Sequence, residues 1–518
     1  MKIARTKNAM NGIRVGLIQR IFQMAAPFCV RTAMIHFMGV QYLGLNSLFS
    51  SVLHVLNLAE LGVGAAMVFS MYKPIAEDDT VTICALMKLY RKYYRIIGLI
   101  IGVVGFALTP MIPNLISGEI PAGLSVYILY WLNLGATVLS YWLFAYRNCI
   151  LHAYQRADII NTVLIITQAA QYALQLAVIL WVKNYYLYVI VLLMTTMLNN
   201  VLTAAVARQK YPQYRPQGEL PKSVVKQING KIRDLFTGKL GYVVLSSSDT
   251  IVISAFLGLS MLAIYQNYYF ILSSIVAVIE ILMASIRAGL GNSFITETQE
   301  KNFQDLDKFT FIYMWAVGMG SCCFLTMYQP FMEIWVGREL MLGAAEVICF
   351  AVYFYVFALN KLLNVYKDSA GLWHEDRFRP MVAAFANLGL NLWWVRSWGI
   401  LGVILSTVAA LAFVEIPWVV YNLFRLFFGR SRMKGFCFSL LKYAGAALMA
   451  AVVSGAVCAE IHCGLWLKLM LCMLISVTVP CMLFYLLFGR TQQYAQALQF
   501  MDRIIGGRLS LLRRFRKA

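Results

Sequence analysis

The feature that most constrains this chain is a series of apolar runs, each about 20 residues long, that recurs almost from end to end. A run of that length can cross the hydrocarbon core of a bilayer as a helix. The 518 residues are 61% hydrophobic and 13% charged, with a mean hydropathy of +0.70, which argues against a water-soluble fold. The runs predict an all-α integral membrane protein with about fourteen transmembrane helices. The predicted spans lie near 15–38, 45–71, 94–115, 124–145, 159–182, 185–207, 236–257, 262–286, 309–329, 342–363, 381–397, 400–424, 439–459 and 464–488.

Basic residues fall almost entirely on one side of the predicted helices. Only five of the 44 Lys and Arg residues lie elsewhere: Arg31 within the first span, and Lys183, Arg338, Arg396 and Lys468 on the opposite side. Because Lys and Arg are enriched in cytoplasmic loops, this bias predicts that both termini are cytoplasmic. The net charge of +21 is spread over short loops beside the membrane, so we expect anionic membrane lipids as partners and no nucleic acid.

An internal repeat divides the chain into two similar halves. The segment Phe37–Gly44 recurs as Phe256–Ala263, an offset of 219 residues, and two later landmarks recur in the same order. Because each copy has an even number of helices, six, the second copy enters the membrane from the same side as the first. This predicts two parallel six-helix bundles and two additional C-terminal helices. The predicted domains are an N-lobe (1–207), a basic cytoplasmic linker (208–235), a C-lobe (236–424), helices 13 and 14 (425–490) and a basic amphipathic tail (491–518).

Polar side chains at helical spacing mark the first, second, seventh and eighth predicted spans. In the second span, polar residues from Asn46 to Glu60 follow steps of three or four, so they would share one face of a continuous helix. Placing a carboxylate in hydrocarbon costs at least ~2.5 kcal/mol, so Glu60 should face a partner or water. The candidate cavity residues are Arg31, Gln23, His54, Asn57, Glu60, Lys239, Ser246, Asp249, Gln266, Glu280, Arg287 and Lys361. Two interpretations stay open: a transport cavity, in which Arg31 would lie opposite Asp249, or buried ion pairs that only lock helices together.

The stretch from Gly39 to Asp79, with YLGLN, LAELGVG and YKPIAEDD, resembles the Wzx-type polysaccharide flippases of the multidrug/oligosaccharidyl-lipid/polysaccharide (MOP) exporter superfamily. The resemblance continues more loosely through YRIIG at 94–98, WGILGV at 398–403 and EIP at 415–417. It implies a V-shaped pair of bundles around a central cationic cavity that opens alternately to the two membrane faces.

The resemblance also implies a substrate and a location. The expected cargo is an undecaprenyl-diphosphate-linked oligosaccharide, moved to the outer leaflet of the bacterial cytoplasmic membrane for capsule, exopolysaccharide or O-antigen synthesis. Glycosyltransferases and a polymerase of the same pathway are the expected protein partners. The guanidinium of Arg31 suits phosphate oxygens, and Arg287 and Lys361 are expected nearer the cytoplasmic side.

Catalytic motifs are missing from the sequence. There is no GxxxxGK[ST], HExxH or GxSxG, so we expect neither an enzyme nor a metal site or cofactor. Coupling to H⁺ or Na⁺ stays open, with Glu60, Asp249 and Glu280 as candidate sites. The rival interpretations are a drug/cation antiporter of the same superfamily and, further away, an integral-membrane polysaccharide polymerase.

Overall fold

The computed structural model describes residues 5–60, 62–118 and 120–504. Within these ranges the chain is helical and has no β-strand, which confirms the predicted all-α fold class. Residues 505–518, the end of the predicted basic tail, lie outside the described ranges. The α-helices are α1 (Arg5–Phe37), α2 (Val40–Leu56), α3 (Val63–Ala76), α4 (Thr80–Leu108), α5 (Val126–Trp142), α6 (Asn148–Ala153), α7 (Ala157–Ala177), α8 (Tyr185–Lys210), α9 (Lys222–Thr296), α10 (Gln299–Val336), α11 (Ala344–Ser369), α12 (Arg379–Ala410), α13 (Ile416–Leu423), α14 (Arg430–Ala459), α15 (Leu465–Phe488) and α16 (Gln492–Ile504).

Internal contacts divide the chain into two units, unit 1 (Met1–Gln266) and unit 2 (Asn267–Ala518). The division falls within α9 because the first part of this helix is attached to unit 1. There Tyr93 donates a 2.6 Å hydrogen bond to Asn229, and the Lys231 ammonium lies 4.4 Å from the centre of the Phe69 ring. The lobe boundaries expected from the sequence stay a prediction.

Nine helical segments in the described part of the chain are long and apolar enough to cross a membrane, or up to eleven if each of two bent helix pairs is one span. Two of the nine, Lys239–Ile281 and Arg379–Phe428, are longer than one crossing requires and coincide with two predicted spans each.

The segment Lys239–Ile281 turns back on itself at Gly258, where φ is 87° and ψ 174°. The Tyr265 hydroxyl donates a 3.3 Å hydrogen bond to Asp249, sixteen residues earlier, and the Gln266 amide donates a 2.9 Å bond to Thr250. In an unbroken helix, residues sixteen apart lie about 24 Å from each other. These bonds therefore require a tight helical hairpin centred on Gly258.

A second hairpin of the same kind lies within α12, at Gly399 (φ 55°). The Ser406 hydroxyl lies 2.5 Å from Asn391, and the Asn387 amide donates a 2.9 Å bond to Thr407 across the turn. The backbone at both turns has positive φ, which only glycine adopts without strain.

The repeat found in the sequence is visible in the backbone. Gly39, which the sequence aligns with Gly258, has φ 123° and ψ 157°, so both glycines combine positive φ with an extended ψ. Each separates one helix from the next. The two aligned segments thus make the same break at equivalent positions.

The second predicted span is not one continuous helix, which corrects the single polar face expected from spacing. Helix α2 ends at Leu56, a 3₁₀ turn covers Asn57–Glu60, and α3 begins at Val63 after Gly62 adopts a left-handed conformation (φ 88°). The two parts are bent by 40°. Glu60 therefore lies at a break in the helix, where backbone groups and a carboxylate come together.

In unit 2, helices α14 and α15 pack on α10 through small and hydroxylated side chains. A Cβ added at Gly318 would lie 3.3 Å from that of Ala447, and the Thr326 and Ser476 hydroxyls are 2.6 Å apart. Small residues allow close approach between membrane helices, and hydroxyl pairs stabilise such contacts.

Candidate functional site

Glu60 is the centre of a polar cluster in unit 1. The Tyr94 hydroxyl donates a 2.9 Å hydrogen bond to the Glu60 carboxylate, and the Tyr90 hydroxyl donates a 2.5 Å bond to that of Tyr94. Lys239 interacts electrostatically with the same carboxylate. The half-buried Glu60 thus has both a chain of neutral hydrogen-bond donors and a cation in its surroundings.

Two further predicted residues of the second span have neutral polar partners. The ring nitrogen Nδ1 of His54 lies 3.2 Å from the hydroxyl oxygen of Ser247 on α9. The Tyr141 hydroxyl donates a 3.2 Å bond to the side-chain oxygen of Asn57. His54 is exposed and Asn57 half-buried. Such groups can exchange hydrogen bonds with hydroxyls of a ligand.

Asp249 and Gln266 lie on the two arms of the Gly258 hairpin. Asp249 is buried, 7% exposed, and accepts the hydrogen bond from Tyr265; Gln266 is half-buried and bonds to Thr250. These bonds connect the arms of the hairpin. The expected pairing of Asp249 with Arg31 stays a prediction.

The other candidates of unit 1 lie on α1 and α9. Arg31 and Gln23 are half-buried on α1, while Lys239 and Ser246 are exposed on α9. Arg31 lies near Tyr188 of α8. The Ser246 hydroxyl donates to the carbonyl of Val243, one turn earlier in its own helix.

Two ion pairs form a ladder between α11 and the second half of α9 in unit 2. The Lys361 ammonium lies 2.5 Å from the Glu280 carboxylate, and Arg287 lies 3.9 Å from Asp368. Both pairs advance by seven residues on each helix, so the two helices run in the same direction. The Lys361 side chain is 25% exposed and that of Glu280 45%, so this pair is open to exchange with other ions.

A second group of charges in unit 2 is almost fully buried. Arg379 forms ion pairs with Asp376 (2.8 Å) and Glu415, and Lys367 pairs with Asp376 at 3.1 Å. The Asn360 amide donates a 3.3 Å bond to Glu415. These four charged side chains are between 3% and 10% exposed. The group connects α11, the start of α12 and the π-helical turn Leu411–Glu415, and we call it the buried network.

Sequence reasoning missed the buried network and the tyrosines around Glu60. Glu415 lies within the predicted span 400–424. A carboxylate inside an apolar span needs a partner or water, so the argument that identified Glu60 as a candidate applies equally to Glu415. Tyr90 and Tyr94 gave no comparable signal, because aromatic residues at helical spacing are common in helix cores.

In the described part of the chain, no group of three His, Cys, Asp or Glu side chains could hold a metal ion.

Several solved structures share this fold. The lipid II flippase MurJ in an inward closed conformation matches with a TM-score of 0.67 and 11% identity, over 92% of this chain and 98% of that one. An inward-facing multidrug-resistance MATE transporter of the MOP superfamily matches with a TM-score of 0.62 and 13% identity, over 82% and 99%. A MATE transporter from Vibrio cholerae matches with a TM-score of 0.53 and 12% identity, over 80% and 96%.

No protein-family model matches the sequence, and no curated protein matches it. The structural similarities show that the chain has the fold of MOP-superfamily transporters. Its many long apolar helices support a multi-pass membrane protein. The matched structures named above are all transporters.

Proposed function

We propose that this chain is a flippase that moves an undecaprenyl-diphosphate-linked oligosaccharide from the inner to the outer leaflet of the bacterial cytoplasmic membrane by alternating access. Both termini would lie in the cytoplasm, where the basic loops are expected. The cargo would be made and consumed by glycosyltransferases and a polymerase acting on surface polysaccharide.

The observation that carries this proposal is the accessible ion pair between Lys361 and Glu280. Lys361 belongs to the candidate membrane span Ala344–Ser369, where an ammonium group needs a counter-ion, and here that counter-ion is one carboxylate at 2.5 Å. A diphosphate offers more negative charge and more acceptor oxygens than a carboxylate, so it can displace Glu280 from the lysine. The pair is then both a stable resting state and a binding site for an anion.

The sugar part of the cargo needs neutral hydrogen-bonding groups. Unit 1 supplies them in the pairs His54–Ser247 and Asn57–Tyr141, whose members can exchange their mutual bonds for bonds to sugar hydroxyls. Arg31, also in unit 1, has a guanidinium of the kind that binds phosphate oxygens in a bidentate manner. The similarity to a lipid II flippase supports a lipid-linked cargo.

Coupling to a proton is most consistent with Glu60. Glu280 forms a direct 2.5 Å ion pair with Lys361 and Asp249 is buried, whereas Glu60 is half-buried at a helix break and accepts its hydrogen bond from the neutral Tyr94. A proton on Glu60 would add an O–H donor to a carboxyl group that otherwise only accepts hydrogen bonds. Glu60→Gln should therefore abolish the response of transport to an imposed pH gradient, and an unchanged response would move the coupling site elsewhere.

The rival function is drug/cation efflux, which the similarity to MATE transporters favours. An antiporter for cations would use carboxylates for its substrate and would not need Lys361. Removing the lysine thus separates the two functions.

The experiment measures lipid-linked repeat units trapped on the inner leaflet of a deletion strain complemented with variants. Lys361→Gln should lower the rate at which repeat units reach the outer leaflet at least tenfold. Glu280→Gln should also lower this rate, because no carboxylate is left to displace the bound diphosphate from Lys361. Lys301→Gln is the matched control, because Lys301 lies 3.5 Å from Asp305 in an exposed pair of the same unit. Normal delivery by Lys361→Gln, or drug resistance restored by the wild type without any delivery of repeat units, would overturn the proposal.

A further inference from the structure

A groove of about 610 Å³ lies on unit 2, where the long apolar segment Arg379–Phe428 ends. None of its lining residues takes part in the proposed transport site. Its wall is largely aromatic and aliphatic, and the Phe413 side chain is 80% exposed. The residues that matter here are Phe413, Pro417, Trp418, Tyr421, Arg425 and Leu426.

Two arginines surround the lining residue Tyr421: Arg425, which also lines the groove, and Arg430, which contacts Tyr421 from outside the lining. The guanidinium groups of Arg425 and Arg430 each lie 5.7 Å from the centre of the Tyr421 ring, and they donate bonds of 3.5 and 3.3 Å to its hydroxyl oxygen. Both arginines are exposed. Within the described residues, neither lies within ion-pair distance of a carboxylate.

Two cations on one phenol ring repel each other unless an anion lies near them. A guanidinium binds phosphate oxygens through paired N–H donors, and two of them can share one phosphodiester. Because the segment crosses the membrane, the natural occupant of an apolar groove beside two arginines is a lipid.

We propose that this groove binds a phospholipid with one anionic phosphodiester, namely phosphatidylglycerol. Its phosphate would lie between Arg425 and Arg430, and an acyl chain would lie along Phe413 and Trp418. Arg425, Arg430 and the lining residue Glu375 together carry one positive charge, which matches a lipid with one negative charge. The same carboxylate supplies an acceptor for the hydroxyls of the glycerol headgroup.

The test is native mass spectrometry of the full chain, purified in detergent, stripped of lipid and titrated with phosphatidylglycerol, phosphatidylethanolamine or phosphatidylcholine. The wild type should retain one phosphatidylglycerol at concentrations at least tenfold lower than either zwitterionic lipid. The double variant Arg425→Gln/Arg430→Gln should lose that preference. The matched control Arg208→Gln/Lys210→Gln removes two exposed basic groups from the last turn of α8 and should keep it.

A second measurement, thermal unfolding with and without lipid, shows whether a variant has lost lipid binding or has failed to fold. Phosphatidylglycerol should raise the thermal midpoint of the wild type and the control, but not that of the arginine variant, whose own midpoint without lipid should be close to the wild type. If both double variants lose the preference for phosphatidylglycerol equally, the binding depends on overall charge. If all three lipids bind equally well, it depends on the apolar wall alone. If polyprenyl diphosphate displaces phosphatidylglycerol at a lower concentration, the groove is a site for a carrier lipid. Each of these outcomes overturns the proposal. The experiment does not involve transport, so its result is independent of the function proposed above.

Discussion

Helix α11 contributes to two sets of charges that differ in burial and, we infer, in purpose. The ladder with α9 is partly exposed, and its members Lys361 and Glu280 can reach water or another ion. The side chains of Arg379 and Glu415 in the buried network are only 5% and 7% exposed, and Lys367 joins this network to Asp368 of the ladder through an ion pair of 2.8 Å. The same residue types can thus provide an exchangeable site in one place and a fixed joint in another. Accessibility separates the two.

The largest effect should come from breaking the buried network. Arg379→Ala leaves the Glu415 carboxylate in the protein interior without its cation, which costs about 3–5 kcal/mol in measured cases. We expect a large loss of folded protein in fluorescence-detected size-exclusion chromatography and a lower thermal midpoint. The double variant Arg379→Gln/Glu415→Gln should be milder than Arg379→Ala; equal or greater loss in the double variant would show that the network does not act as a unit.

The next effect should concern transport rather than folding. Arg31→Ala should lower the delivery of repeat units at least tenfold, about 1.4 kcal/mol, while the protein stays in the membrane. Arg31→Lys should recover only part of the rate because an ammonium cannot make the bidentate contact. Surface polysaccharide and membrane abundance are measured together, and normal polysaccharide in the alanine variant would remove Arg31 from the mechanism.

Exchanging the partners of the accessible pair should leave stability nearly unchanged. The variant Lys361→Glu/Glu280→Lys keeps opposite charges at these two positions. The free energy of unfolding, followed through the thermal midpoint, should therefore change by less than ~1 kcal/mol. Delivery of repeat units should still fall, because the cation has moved to the other helix. If the exchange unfolds the protein, the pair is part of the structural core and the contrast with the buried network is wrong.

The smallest effect should come from the second rung of the ladder. Arg287 is 53% exposed and lies 3.9 Å from Asp368, so Arg287→Gln should change stability by about 0.5 kcal/mol. This small change should disappear in high salt. A loss as large as that of Arg379→Ala would show that exposure does not separate the two sets of charges.

Much of the fold could be predicted from the sequence because hydropathy and chain length directly report which segments cross a membrane. The positions of the helical hairpins at Gly258 and Gly399 follow from the boundaries between predicted spans. The repeat was also readable, since Gly39 and Gly258 share an unusual backbone conformation that requires glycine.

The site could be predicted only in part, because polarity inside a span shows that a residue needs a partner but not which one. Glu280 was expected as a coupling group, and the structure places it against Lys361. The break after Glu60 was missed because Asn57 and Glu60 continue the helical spacing, and only Gly62 hints at an interruption. Tyr94, the hydrogen-bond donor to Glu60, is distant in sequence and gave no polar signal of its own.

The one-residue turn at Gly258 also limits how the chain can be altered. A single amino acid inserted there would rotate the following helix by about 100° around its axis, so Tyr265 and Gln266 would swing away from Asp249 and Thr250. Epitope tags and reporter loops placed at this reversal should therefore disturb side chains two helical turns away.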